Sequence, residues 1–113
     1  NEINEKLIGN LTQFEMVVCT SIFHHWVRIY GEKCAFNMMQ GIADKTTKYL
    51  VFETGQNNET ETRFYKYLDF MGNSYETWVT SFLLGLGFSK VKKIGMYDTT
   101  LSNVKRTLFL AMK

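Results

Sequence analysis

Proline is absent from the sequence of 113 residues, and cysteine occurs only twice. Two thiols cannot form the disulfide framework of a small secreted domain, so we expect Cys19 and Cys34 to be buried free thiols. The sequence also has no large excess of positive or negative residues, because the formal net charge is only +2. This balance argues against a strongly electrostatic partner such as bulk DNA or an anionic membrane. No apolar run approaches the ~20 residues of a membrane-spanning helix. We therefore expect a cytoplasmic protein with no membrane partner.

The remaining composition is that of an ordinary globular domain. Hydrophobic residues make up 45% of the sequence and charged residues 21%, which is the usual range for a folded protein. A chain of this length predicts a single domain covering residues 1–113. Because the sequence begins without an initiator methionine, we expect it to be a fragment of a longer domain.

The first half of the sequence predicts a strand, a helix and a second strand. Short continuous apolar runs at residues 14–20 and 48–53 are typical of strands covered on both faces. Between them, apolar side chains recur at helical spacing over residues 31–46. A strand, a crossover helix and another strand form a parallel, right-handed βαβ unit. Polar turns at residues 21–26 and 53–58 follow the two strands, where parallel sheets bind ligands.

The second half predicts two helices and then an antiparallel pair of strands. A short helix is expected over residues 60–70, and Ser74 is expected to cap a longer helix that stops at Gly87. Strands are expected at residues 88–97 and 104–112. Their connector is too short for a helical crossover, so these strands should be antiparallel neighbours.

The two final strands differ in their side chains. The run from Thr107 is apolar on both faces and predicts a central strand. The lysines of the preceding strand suit an exposed edge. A weak phosphate-contacting patch is the other interpretation of the basic residues in this part of the chain. These are Lys90, Lys92, Lys93, Lys105 and Arg106.

This order of elements resembles the class I S-adenosylmethionine-dependent methyltransferase family, in which the seventh strand runs antiparallel between the fifth and the sixth. Three segments of the chain are similar in sequence to segments of that family: FEMVVCTSIFHHW, KYLVFETG and LGFSKVKKIG. The resemblance implies an α/β fold with a partial Rossmann-like sheet and flanking helices. Its strands would be equivalent to the family's fourth to seventh, with the last one antiparallel. The family's glycine-rich cofactor loop has no counterpart here, so the chain would be the C-terminal half of such a domain.

The resemblance also implies roles for the turn after the first strand. Thr20 and Ser21 would lie beside the cofactor, S-adenosylmethionine, and Trp26 would form a wall of the substrate pocket. His24 or His25 would be the catalytic base, because imidazole accepts a proton near neutral pH. The alternative is that one histidine is a surface residue and that Trp26 covers the core.

A second polar group follows the second strand. Glu53 and Asn57 suit recognition of a polar substrate such as a nucleobase or a sugar, since a carboxylate accepts hydrogen bonds and an amide both donates and accepts them. The alternative is that asparagine and glycine simply end the strand and form a turn. The adjacent histidines lack metal-binding spacing, so we expect no metal site.

The resemblance implies the C-terminal part of a methyltransferase that acts on a small molecule, a sugar or a nucleotide. The full-length parent, rather than this chain alone, would bind S-adenosylmethionine. The alternative is a non-enzymatic α/β binding or scaffold module, including a degenerate methyltransferase-like subunit that supports an active partner. In either case residues 14–20 would form an exposed apolar edge strand, which predicts self-association.

Overall fold

The computed structural model describes residues 4–100 and 102–113. Within these residues, no helix is long and apolar enough to cross a membrane. The elements in chain order are α1 (Glu5–Gly9), β1 (Phe14–Thr20), α2 (Phe23–Tyr30), α3 (Glu32–Lys45), β2 (Thr46–Glu53), a 3₁₀ helix (Tyr65–Met71), α4 (Tyr75–Gly85), β3 (Lys90–Tyr97) and β4 (Arg106–Met112).

The four strands form one mixed sheet in the order β1-β2-β4-β3. β1 and β2 are parallel, and they are joined through α2 and α3. β4 is antiparallel to both of its neighbours, β2 and β3. The last strand therefore lies between its two predecessors, and the predicted α/β fold class with its reversed final strand is confirmed.

The core lies between one face of the sheet and the helices. Cys19, Leu50, Phe52, Phe109 and Ala111 project from the strands into a cluster of buried helical side chains. Full burial of a leucine or phenylalanine side chain contributes roughly 1.5–3 kcal/mol. The helical members of this cluster include Phe23, Trp26, Met38, Met39, Val79 and Leu83.

β1 departs from the prediction of a strand covered on both faces. It pairs only with β2, so its other edge has no neighbouring strand among the described residues. Met16 and Val18 alternate with the buried Cys19, and Val18 is 62% exposed. The prediction of two-sided burial is therefore wrong for β1, because an apolar run alone does not reveal whether both faces are packed.

The segment after β1 is a helix where the sequence predicted a polar turn. Phe23, Trp26 and Val27 are buried at the spacing of one helical face, so packing against the core stabilises α2. Ile22 occupies the N-cap position without a side-chain hydrogen bond, and the usual signal of a helix start is missing. Ser21, which lies immediately before Ile22, has a φ of 57°, a conformation that is uncommon for residues other than glycine.

α3 and α4 agree with the helices predicted from the sequence, and the short helix predicted over residues 60–70 is the 3₁₀ helix Tyr65–Met71. α3 begins after Gly31, and the Ser74 Oγ atom accepts a hydrogen bond from the Thr77 N–H at 3.3 Å, which caps α4. Gly87 follows α4 with a φ of +111°, the left-handed conformation common after a helix.

The two cysteines are both free. Cys19 is buried in the core, as predicted, whereas Cys34 is only half-buried. The prediction that both thiols are buried is therefore wrong for Cys34.

Candidate functional site

Four side chains meet at the carboxyl edge of the sheet because of the strand directions. β1, β2 and β3 run the same way, so their C-terminal ends share this edge, and the antiparallel β4 begins there. These strand ends supply Glu53, Tyr97 and Arg106, and Ser21 follows β1 directly. Parallel sheets bind ligands at this edge.

Arg106 is the centre of a buried ion-pair network. Its Nη1 atom donates to Glu53 Oε1 at 3.2 Å, and its Nη2 atom donates to Glu59 Oε1 at 3.2 Å. The exposed fraction of the side chain is 3% for Arg106 and 0% for each glutamate. Burial alone lowers the pKa of Arg106, but the hydrogen bond and charge of Glu59 and the charge of Glu53 raise it overall. The guanidinium therefore stays charged between its two partners.

Glu53 is fully engaged within the protein. Its second oxygen, Oε2, accepts hydrogen bonds from the Ser21 Oγ atom at 2.8 Å and from the Tyr97 hydroxyl. Burial and the neighbouring Glu53 raise the pKa of Tyr97 to about 12, so the phenol keeps its proton. A ligand at this edge would meet the exposed Ser21 and Tyr97 rather than the Glu53 carboxylate.

The loop after β2 is bound to β4 through Gln56 and Glu59. The Thr107 N–H donates to Gln56 Oε1 at 3.0 Å, and the Gln56 N–H donates to Glu59 Oε2 at 2.5 Å. No local pattern in the sequence indicates Glu59 as a site residue, and the prediction that Arg106 lies among exposed basic residues is wrong. Both belong to a network of two carboxylates and one guanidinium, which leaves a surplus of negative charge.

His24 is held in a neutral form inside the protein. It is 1% exposed, and its Nδ1 atom accepts the Gly55 N–H at 2.8 Å. Burial, followed by the charges of His25, Arg106 and Arg28, lowers the pKa of His24 to about 3. Since Nδ1 is an acceptor, the single proton of the neutral ring is on Nε2. This geometry leaves His24 no free lone pair with which to act as a base.

Gly55 makes that contact possible. A Cβ atom at this position would lie 2.4 Å from Phe64 Cε1 and 2.7 Å from His24 Cγ. The backbone can therefore approach the imidazole only without a side chain, which explains a glycine in this loop.

His25 differs from His24 because its side chain is only partly buried. Its ring centroid lies 4.2 Å from that of His24 and 6.4 Å from that of Phe64. Burial, followed by the charges of Arg28 and Arg106, lowers the pKa of His25. A lowered pKa keeps the imidazole neutral near pH 7, which is the form that accepts a proton.

The other predicted site residues are divided between two places. Thr20 is exposed at the end of β1 and, with Trp26, lines an apolar groove of about 350 Å³ between α1 and β1. Asn57 lies in the loop after β2, and its Nδ2 atom donates to the Gly72 carbonyl at 2.6 Å. Across the described ranges 4–100 and 102–113, no three or more His, Cys, Asp or Glu side chains gather in a way that could hold a metal ion.

No family model matches the sequence, and no curated protein matches it significantly. Solved structures do match. A crystal structure of WbdD has a TM-score of 0.73 and 23% identity over 95% of this chain, and another structure of WbdD is described as a bifunctional kinase-methyltransferase. The match covers 22% of the WbdD chain.

Magnesium protoporphyrin IX methyltransferase (ChlM) from Synechocystis PCC 6803 is a second kind of match. Its structure with bound S-adenosylmethionine has a TM-score of 0.60 and 16% identity over 94% of this chain. Its structure with bound S-adenosylhomocysteine has a TM-score of 0.63 and 18% identity over 94% of this chain. This chain spans 42% and 48% of those two chains. Together these likenesses establish a methyltransferase-like fold.

Proposed function

We propose that this chain is the C-terminal part of an S-adenosylmethionine-dependent methyltransferase. The observation that carries the proposal is the strand order β1-β2-β4-β3 with β4 reversed. The similarity to solved structures named methyltransferases, two of them with cofactor or its product bound, supports it. The acceptor belongs to the class of small molecules, sugars or nucleotides.

The residues of the carboxyl edge fit one end of such a cofactor. Thr20 and Ser21 are exposed residues there, and the Ser21 Oγ atom is bound to Glu53 and Arg106. The buried network pairs two carboxylates, those of Glu53 and Glu59, with the single guanidinium of Arg106. An excess of negative charge favours a nearby cation such as a sulfonium. When bound, the cofactor supplies an electrophilic methyl group. The chain offers no glycine-rich loop after β1 for the cofactor's other end.

The chain's own residues position the acceptor and take up its proton. A ring nitrogen of His25 takes up the proton from a hydroxyl group of the substrate that receives the methyl group. The imidazole can do so because it is neutral and partly exposed. The bonds of Glu53 to Ser21, Tyr97 and Arg106 hold the edge in one geometry. Fixed geometry matters because methyl transfer is an in-line displacement that depends on alignment.

The test is a calorimetric titration of the natural full-length protein with S-adenosylhomocysteine. We expect saturable binding that is at least about tenfold weaker in Thr20→Arg, because the larger side chain fills the space beside the strand end. Thr47→Arg is the matched control, since Thr47 is exposed near the opposite end of β2. Absence of binding in the wild-type protein, or equal weakening in both variants, would refute the proposal.

A second candidate is a non-enzymatic α/β binding or scaffold module. It is favoured by the Glu53 carboxylate, whose oxygens are already bound by Ser21, Tyr97 and Arg106. The same titration separates the two candidates, because a binding module that has lost the cofactor site gives no heat with S-adenosylhomocysteine.

A further inference from the structure

A basic concavity lies beside α2, apart from the buried ion-pair network. Its volume is about 380 Å³. It lies between α2 and the stretch that includes the start of the 3₁₀ helix and the residues just before it. Six residues line it: Arg28, Thr62, Arg63, Tyr65, Lys66 and Tyr67.

The three cations of this concavity are not neutralised by carboxylates within the described residues. The ion pairs found there involve Lys48, Lys93 and Arg106 instead. The nearby Glu61 accepts a hydrogen bond from the Asn103 N–H at 3.0 Å, which draws its carboxylate toward another loop. The positive charge of Arg28, Arg63 and Lys66 is therefore available to a ligand.

The side chains of the concavity match a phosphate monoester. Guanidinium groups donate two parallel hydrogen bonds to phosphate oxygens, and an ammonium adds a point charge. Three cations suit a phosphate dianion better than a singly charged carboxylate. Tyr65 adds a flat aromatic surface against which the organic part of a ligand can stack, whereas the Lys66 Nζ atom lies over the Tyr67 ring, 5.8 Å from its centroid.

The concavity is next to the candidate base. Arg28 follows His25 by three residues on α2, and residues at this spacing share a helix face. The Phe64 ring, whose centroid is 6.4 Å from that of His25, belongs to the residue between Arg63 and Tyr65. A ligand held in the concavity would therefore extend toward His25.

We propose that this concavity binds a phosphate group of the acceptor substrate and so directs the acceptor toward His25. The assignment to an acceptor rests on the proposed methyltransferase function. The phosphate site itself rests on Arg28, Arg63 and Lys66.

The experiment is a calorimetric titration of the full protein, without cofactor, using phenyl phosphate and benzoate as probes. We expect saturable binding of phenyl phosphate that is at least about fivefold tighter than that of benzoate, because the phosphate carries the greater charge. Arg63→Gln and Arg28→Gln should each weaken phenyl phosphate binding about tenfold or more. Lys92→Gln removes the same charge from an exposed position on β3 and should leave binding unchanged.

Two outcomes would overturn the proposal. One is the absence of saturable binding of phenyl phosphate. The other is equal weakening by Lys92→Gln and Arg63→Gln, which would show attraction to net charge alone. Because no cofactor is present, failure here leaves the S-adenosylhomocysteine result unaffected, and the two proposals can fail separately.

Discussion

His24 and His25 are adjacent in the sequence, but their imidazoles have different surroundings. His24 is enclosed and accepts a hydrogen bond from the Gly55 N–H, whereas His25 is only half-buried. The sequence could place a histidine at the carboxyl edge, but it could not distinguish the two. The distinction depends on Gly55 and Phe64, which lie 30 or more residues further along the chain.

The depressed pKa of His24 predicts acid sensitivity of the fold. Its pKa falls from 6.5 to about 3 on folding, so below pH 6.5 the unfolded chain binds a proton that the native protein does not. The stability supplied by neutral His24 is full above pH 6.5 and falls by roughly 1.4 kcal/mol per pH unit below it. The loss continues until the pH reaches about 3.

His24→Asn tests this expectation. The Asn Oδ1 atom can accept the Gly55 N–H but does not titrate, so the variant should lose less free energy of unfolding between pH 7.5 and pH 5. Urea denaturation at both pH values measures the difference. His25→Asn is the control and should keep most of the wild-type pH dependence. Equal pH dependence in His24→Asn and the wild-type protein would contradict the assignment.

Local signals in the sequence are sufficient to predict most of the helices and strands. Helical spacing of apolar residues predicted α3, Ser74 predicted the start of α4, and the short final connector predicted an antiparallel pair. α2 was missed because Ile22 offers no capping side chain and because polar histidines interrupt its apolar face. Its formation depends on core packing that no local pattern shows.

The Arg106 network could not be predicted from local pattern. Glu53 and Glu59 lie 53 and 47 residues before Arg106 in the sequence, and Arg106 directly follows the exposed Lys105. The network exists because an antiparallel strand starts where a parallel strand ends. It joins β2, the following loop and β4 into one unit.

Arg106→Gln is expected to destabilise the protein by roughly 3–5 kcal/mol, because it leaves buried carboxylates without their cation. Urea unfolding measures the loss. Lys105→Gln removes the same charge from the exposed neighbouring position and should change the free energy of unfolding by less than about 0.5 kcal/mol. Adding Glu59→Gln to Arg106→Gln should restore part of the stability. Similar effects of the Arg106 and Lys105 variants would show that the network contributes nothing specific.

Apolar side chains are unevenly distributed over the sheet. The side chains that project toward the helices are buried, while large apolar side chains that alternate with them are exposed. The exposed ones include Phe14, Met16, Val18 and Tyr49. Exposed apolar residues beside an unpaired strand edge are typical of a surface that binds another protein segment.

We propose that the edge of β1 that pairs with no strand of the described residues binds a second copy of the chain. β1 carries a single charged residue, Glu15, and has neither lysine nor proline to discourage pairing. An antiparallel pair centred on Val17 would place Glu15 opposite Cys19 of the partner subunit, so the two carboxylates would not face each other. The exposed Met16 and Val18 side chains of both copies would then form one continuous apolar surface.

Light scattering coupled to size-exclusion chromatography tests the proposed pairing over a wide range of protein concentration. We expect the wild-type chain to shift toward a dimer as its concentration rises. Val18→Lys should keep the chain monomeric, because its ammonium would be drawn into the paired apolar surface. Ile29→Lys makes a comparable change at a residue on α2 that is 57% exposed and should leave the dimer intact. A wild-type chain that stays monomeric throughout, or dimers lost equally in both variants, would exclude β1 as the contact, because only pairing through this edge makes position 18 more sensitive than position 29.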